Sequence, residues 1–262
     1  MRTLEPRLDP RSAVPRGLLP GPGGALLVAI CLAPGRALAQ TPDAPGLLDR
    51  PVVLVVALAA LALLPFAFMG MTAFLKISTV LHIVRGAIGA QNIPTNPVIM
   101  ALAVALTLLA MAPVGARIGE RMGPVLEASQ RPTTELVTAA QQAIGEPVRD
   151  FLRTNVSQRE QRRFVELARS SWPEDARETV GDNDFVVLVP AFMVTELIEA
   201  FALGFAIYLP FLVVDLVIAN VLLALGMQMM NPTQVSLPFK LLLFVAVDGW
   251  GLLAQALVTG YS

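Results

Sequence analysis

Apolar and charged positions fall in long separate blocks along this chain. Val52 to Leu75 carries no charge, and neither does Pro97 to Ala116. About 20 apolar residues cross a bilayer as a helix, so each run predicts one span. Pro65 predicts a kink in the first. Lys76, His82 and Arg85 follow it with no acid nearby, and Asn92 to Pro97 (NIPTNP) is a proline-rich turn. Residues 76–96 therefore read as a basic loop between two spans.

The longest apolar block is Phe185 to Ser262, 78 residues with five charged side chains: Glu196, Glu199, Asp215, Lys240 and Asp248. A charge in hydrocarbon is costly, so those that persist are paired or functional. Pro190, Pro210, Pro232 and Pro238 are expected to divide the block into pieces of about 20 residues, enough for two or three helices. A continuous hairpin and three separate spans both fit this pattern.

Between the apolar blocks lies Arg117 to Asp184, with ten arginines against twelve acids. Ser157-Gln-Arg-Glu160 has the spacing of a capping box, in which Ser157 accepts from a backbone N–H and Glu160 reaches back. Phe164, Leu167 and Ala168 continue at helical spacing, and Trp172-Pro173 ends the helix. This segment predicts a small extracytoplasmic helical subdomain whose charges form a solvated face.

Composition sharpens the membrane reading. The chain is 55% hydrophobic and 15% charged, against about 25% charged in soluble domains. The net charge of −1 gives no sign of a nucleic-acid partner. At the N-terminus, Arg2, Arg7, Arg11 and Arg16 outnumber Glu5 and Asp9, Gly24 to Ala33 is a short apolar run, and Ala37-Leu38-Ala39 fits a cleavage site before Gln40. Residues 1–39 read as a secretory signal, with an uncleaved tail as the alternative. Removal would place the mature N-terminus outside and the basic 76–96 stretch inside, as the positive-inside rule asks. Cys31, the single cysteine, lies in the signal, so a mature chain would have no disulfide, thiolate metal site or cysteine nucleophile.

Signatures of hydrolases, P-loop enzymes and dinucleotide-binding enzymes are missing, and His82 is the one histidine. No catalytic residue, metal or cofactor is expected. Glu196 and Glu199 share one helix face and are candidates for ion passage or for contacts with a neighbouring subunit. Gly115-x-x-x-Gly119 has the spacing that lets helices approach closely. Asp215 and Lys240 each interrupt an uncharged run on successive segments. They would meet if the chain folds back around residues 227–233, since a paired buried charge costs far less than a lone one. Met227, Met229 and Met230 surround Gln228 in that turn, where flexible thioethers serve either as filler or as an adaptable contact.

The words LVPAFMVTELIEAF, YLPFLVVDLVIANVLLALGM and LPFKLLLFVAVDGW, together with the upstream MTAFLKISTVLHIVRGAIGAQNIPTNPVIMALAVALTLLAMAPV, resemble the FliP/SctR family over about 110 residues. These are inner-membrane export-gate proteins of type III secretion systems, in flagella and injectisomes. The resemblance implies a cone-shaped helical complex in which about five copies assemble with two smaller membrane subunits. It also implies a pore closed by a methionine ring at Met227–Met230 and a charge pair between Asp215 and Lys240. Gln228 interrupts methionines that are often consecutive in the family, and Ile198-Glu199 stands where a basic residue is common. The YLPF word and Asn220 lean toward the injectisome branch, the signal-like N-terminus toward the flagellar one.

The expected fold is an all-α membrane protein of kinked apolar helices and hairpins with a small helical extracytoplasmic segment, assembling into a ring-like complex. Its parts are a signal (1–39), a two-span region (40–116), a hydrophilic helical segment (117–184) and an apolar region with the methionine-rich turn (185–262). The expected function is a core subunit of the protein-conducting export gate, multi-pass in the bacterial inner membrane. Its partners are further copies, two smaller gate subunits and the secreted polypeptides. Met227, Gln228, Met229 and Met230 form the gate, Asp215 and Lys240 a structural pair, and Glu196, Glu199 and Asp248 inter-subunit contacts. The alternative is an ion- or proton-conducting subunit built on Glu196, Glu199 and Asp215. A membrane-embedded hydrolase is disfavoured, because no candidate base sits near a nucleophile.

Overall fold

The computed structural model describes residues 51–90, 93–127 and 133–261. The signal-like residues 1–39, with Cys31, lie outside them. Among the described residues the chain is all-α, with no strand. The helices are α1 (Pro51–Met71), α2 (Phe74–Ile88), α3 (Asn96–Ala110), α4 (Ala112–Glu127), α5 (Thr133–Asn155), α6 (Gln158–Ser171), α7 (Phe185–Ala224), α8 (Pro232–Ala246) and α9 (Gly249–Thr259), with a short 3-10 helix at Glu174–Thr179.

The core is organised around α2, which the basic-loop expectation missed. Ile77, Val80, Leu81, Val84 and Ile88 are buried and recur every three or four residues, so they form one stripe. That stripe joins Ile99, Ala103 and Leu106 of α3, Ala200 and Phe211 of α7, Phe244 of α8, and Leu253 and Leu257 of α9. Lys76 is buried at the end of this apolar face while His82 and Arg85 lie outside it, and the three basic residues concealed its helical period. His82 lies on the exposed side, with Nδ1 2.7 Å from the Ser78 carbonyl.

α2 runs beside α7 in the same direction. A side chain on Gly204 of α7 would have its Cβ 2.5 Å from Ile83 Cδ1, so glycine is what allows the two helices to touch there. Within the described residues of the chain no other helix makes the approach at Gly115 or Gly119: nothing outside α4's own backbone lies within 4 Å of a Cβ at either.

Of the four prolines expected to divide the C-terminal block, Pro232 stands at a break and opens α8, whereas Pro190, Pro210 and Pro238 lie inside helices. α7 runs unbroken for 40 residues through Pro190 and Pro210. Each proline removes one ladder bond, and the flanking apolar sequence and packing against α2 and α6 carry the helix across. At about 1.5 Å per residue α7 is about 60 Å long, twice the hydrocarbon thickness of about 30 Å. The bends fall elsewhere. α1 continues through Pro65, and the chain bends by 66° between Met71 and Phe74. α3 and α4 meet at 56° around Met111, and α8 and α9 at 58° around Asp248. Among the described residues α7 alone suffices by length and composition to cross a membrane, and up to four spans result if each bent pair counts as one.

The hydrophilic segment is helical, as expected. α4 and α5 form an antiparallel hairpin joined by Arg117–Asp150 (3.0 Å) and Arg121–Glu146. α5 docks on α7 through Phe151, Leu152, Leu188 and Phe192. Ser157 caps α6 by accepting from the Glu160 N–H (3.3 Å). The reciprocal half of the capping box is replaced: the Ser157 N–H donates to Thr195 Oγ1 of α7 (3.3 Å).

Candidate functional site: two lysine braces and a methionine turn

α7 contains three charged residues, all acidic, and the whole chain contains two lysines. Each lysine is buried against acids of α7.

Lys240, on α8, donates to Asp215 Oδ2 at 2.6 Å and to the Ala87 carbonyl at 3.3 Å. Ser236 Oγ, one turn earlier on α8, donates to Asp215 Oδ1 at 2.5 Å. Asp215 thus accepts two bonds from α8. Ala87 lies in the last turn of α2, where unpaired carbonyls favour a cation. The contact binds α7 and α8 together and ties both to the end of α2. The fold-back expected from the sequence does bring Asp215 and Lys240 together.

Between these helices the chain reverses in residues 225–231. Gly226 adopts φ +70°, a left-handed turn that an L side chain rarely takes. The Met227 N–H donates to the Leu222 carbonyl (2.9 Å), closing the end of α7. Asn231 restarts the chain: its Oδ1 accepts from the Thr233 N–H (3.0 Å), and Pro232 opens α8. Met227, Gln228, Met229 and Met230 occupy the tip, all exposed, and Met229 fully so. They are not core filler within the chain.

The second brace escaped the sequence reading. Lys76, in the first turn of α2 and 5% exposed, lies 3.2 Å from Glu196 Oε1 and 2.6 Å from Glu199 Oε2. Glu196 has no exposed surface, and Glu199 is half exposed. The Tyr261 hydroxyl donates to Glu196 Oε2, its ring lies 4.4 Å from Lys76 Nζ, and it stacks on Phe151 of α5 at 5.9 Å. The carboxylates therefore face a cation inside their own chain. One signal in the sequence pointed there. Two acids on one face of an apolar helix demand a cation, and lysine occurs at only two positions. Tyr261 gave no such signal.

Asp248 sits at the α8–α9 bend in a left-handed conformation (φ 51°), exposed, with its carboxylate lying against Gly251. Asp is one of the few residues that tolerates this region. Among the described residues no group of three or more His, Cys, Asp or Glu could hold a metal.

The fold and these contacts define a helical membrane protein whose apolar helices are cross-braced by a few buried ion pairs. The chain belongs to the FliP family, whose model matches residues 57–257. It is 42% identical to the hypersensitivity response secretion protein HrcR of Ralstonia nicotianae, over 79% of this chain and 96% of that protein. It is 40% identical to the Yop proteins translocation protein R of Yersinia pestis, over 82% and 98%. The flagellar biosynthetic protein FliP of Caulobacter vibrioides is 39% identical over 90% and 88%.

Proposed function

We propose that this chain is a core subunit of the protein-conducting export gate of a type III secretion system, of the injectisome type in slight preference to the flagellar one. The observation that carries this reading is similarity of about 40% over nearly the full length of proteins named for secretion, translocation and flagellar biosynthesis. The slightly higher identity to the Ralstonia secretion protein than to the flagellar relative supports the injectisome preference.

The chain is a structural component of the conduit, placed in the inner membrane with several passes. It assembles as about five copies with two smaller membrane subunits, as the family resemblance implies. The tip of the α7–α8 hairpin closes the pore. Its support is three exposed, unbranched thioethers at the tip of a hairpin tied together by Asp215, Ser236 and Lys240, able to pack into a seal and yield around a passing polypeptide. Asp215 and Lys240 hold the hairpin closed behind it. Glu199 and Asp248, both exposed, are the acids placed to contact neighbouring subunits. Buried Glu196 acts through Lys76 instead.

The ion-conducting alternative is less favoured, because Glu196, Glu199 and Asp215 each lie against a lysine of the same chain. Affinity purification of the tagged full chain from cells expressing the neighbouring membrane subunits should yield a stable complex of all three. Purified chain that joins no such complex and conducts ions by itself in liposomes would favour the alternative.

A further inference from the structure

The α4–α5 hairpin contains a cavity of about 330 Å³ lined by Arg117, Arg121, Arg149 and Arg153 together with Glu146 and Asp150. Arg117 and Arg121 are used by the hairpin's own ion pairs. Arg149 and Arg153 are one turn apart on α5 and make no salt bridge among the described residues. The Arg149 guanidinium lies over the Phe185 ring at 4.8 Å, and its Nε is buried without a hydrogen-bond partner. Four guanidiniums against two carboxylates leave a charge of +2. Nothing in the export function requires this surplus, and a buried guanidinium N–H without an acceptor is costly.

We propose that this cavity binds the phosphate of an anionic phospholipid headgroup. Arginine forks match phosphate oxygens in bidentate geometry, and the cavity has the size of a small-ligand site, about 300–1,000 Å³. Its place in the chain supplies the lipid. Arg117 directly follows the uncharged run ending at Ala116, where an apolar segment gives way to water. On α3, which leads into α4, Val98, Val104, Leu108 and Leu109 are exposed, an apolar surface fit for acyl chains. The inference does not depend on the export reading.

The test is native mass spectrometry of the full chain, purified in mild detergent and supplied with phosphatidylglycerol, phosphatidylcholine or inorganic phosphate. Phosphatidylglycerol should be retained about tenfold better than phosphatidylcholine. R149Q/R153Q should lose that preference, and R149K/R153K should keep part of it. R162Q on α6, away from the cavity, should leave it unchanged. If the double glutamine variant does not fold, exposed Arg153→Gln alone should lower retention. Equal retention of the two lipids by the wild type overturns the proposal. So does displacement of the lipid by millimolar inorganic phosphate, which would mark a free-phosphate site. Loss of a protein subunit from R149Q/R153Q, with no lipid on the wild type, would assign the arginines to a protein contact and likewise overturn it.

Discussion

Lys76 and Lys240 both clamp α7 to α2, yet the two braces differ in how much water reaches the acid. Lys76 lies 3.2 Å from sealed Glu196 and 2.6 Å from half-exposed Glu199, and Lys240 lies 2.6 Å from Asp215. Distance alone would rank the Asp215 contact above the Glu196 one. Asp215 is 25% exposed and has Ser236 as a second donor, so it keeps a hydrogen bond and some hydration without its lysine. Glu196 is sealed from solvent and stands one turn from Glu199. Without Lys76 that site would contain a buried anion beside a like charge, with the Tyr261 hydroxyl as a donor but no water. The cost of breaking a buried pair is set mainly by the group left behind. The comparison therefore teaches that solvent access at the surviving partner, not the strength of the contact, ranks the two braces.

The largest expected effect follows directly. Lys76→Ala should destabilise the chain by roughly 3–5 kcal/mol, the range for a buried charge stripped of its partner. Thermal unfolding in detergent should show it, and Lys76→Arg should recover most of the loss. Next is Asp215→Ala, which leaves Lys240, 3% exposed, facing only the Ala87 carbonyl. It should cost roughly 3 kcal/mol. Lys240→Ala should cost less, because Asp215 stays bonded to Ser236. If Lys240→Ala proved as damaging as Lys76→Ala, solvent access would not be what separates the braces. Asp215→Lys combined with Lys240→Asp should restore part of the stability lost in either single variant.

How far the sequence revealed these features depended on whether a residue's surroundings were visible locally. Asp215 and Lys240 were found because each stands alone in an uncharged run and the turn between them is short. Lys76 lies at the edge of such a run, 120 positions from Glu196, and the basic residues after it resemble a loop. Only tertiary packing exposes α2 as a helix with Lys76 turned inward. The prolines misled for a related reason. At Pro190 and Pro210 the local rule predicts a break, but a long apolar helix held along its length tolerates the missing bonds. The bends near Met71 and Asp248 coincide with no proline and had no equivalent signal, whereas the bend at Met111 falls just before Pro113, in the first turn of α4. The methionine turn was legible in outline, since Gly226, Asn231 and Pro232 are turn residues at the ends of apolar segments.

Tyr261→Phe separates the aromatic from the polar part of the Lys76 brace. The ring would still stack on Phe151 and face the ammonium, while Glu196 Oε2 would lose the hydroxyl. Hydrogen bonds to charged groups are worth about 1.5–3 kcal/mol. With Lys76 still in place, a loss near 1.5 kcal/mol is expected in the same unfolding measurement. A loss as large as that of Lys76→Ala would move the main share of the brace from the lysine to the hydroxyl.

The smallest effect on stability should come from the turn proposed as the gate. Met227, Met229 and Met230 are exposed at the hairpin tip, and exposed substitutions outside special backbone positions usually change stability by less than about 0.5 kcal/mol. Replacing all three by alanine leaves Gly226 and the Asn231 cap intact, so the turn should keep its shape and the complex should still assemble. In the proposed ring of copies, what changes is the side-chain volume available at its axis. Thioether chains fill an irregular gap, and alanine does not. The triple variant should therefore unfold like the wild type yet conduct small ions when the assembled complex is placed in a planar bilayer. Gln228→Met should act oppositely, lowering any residual conductance by removing the polar group from the ring. A triple-alanine complex as closed as the wild type would move the gate away from this turn and leave the hairpin a structural role.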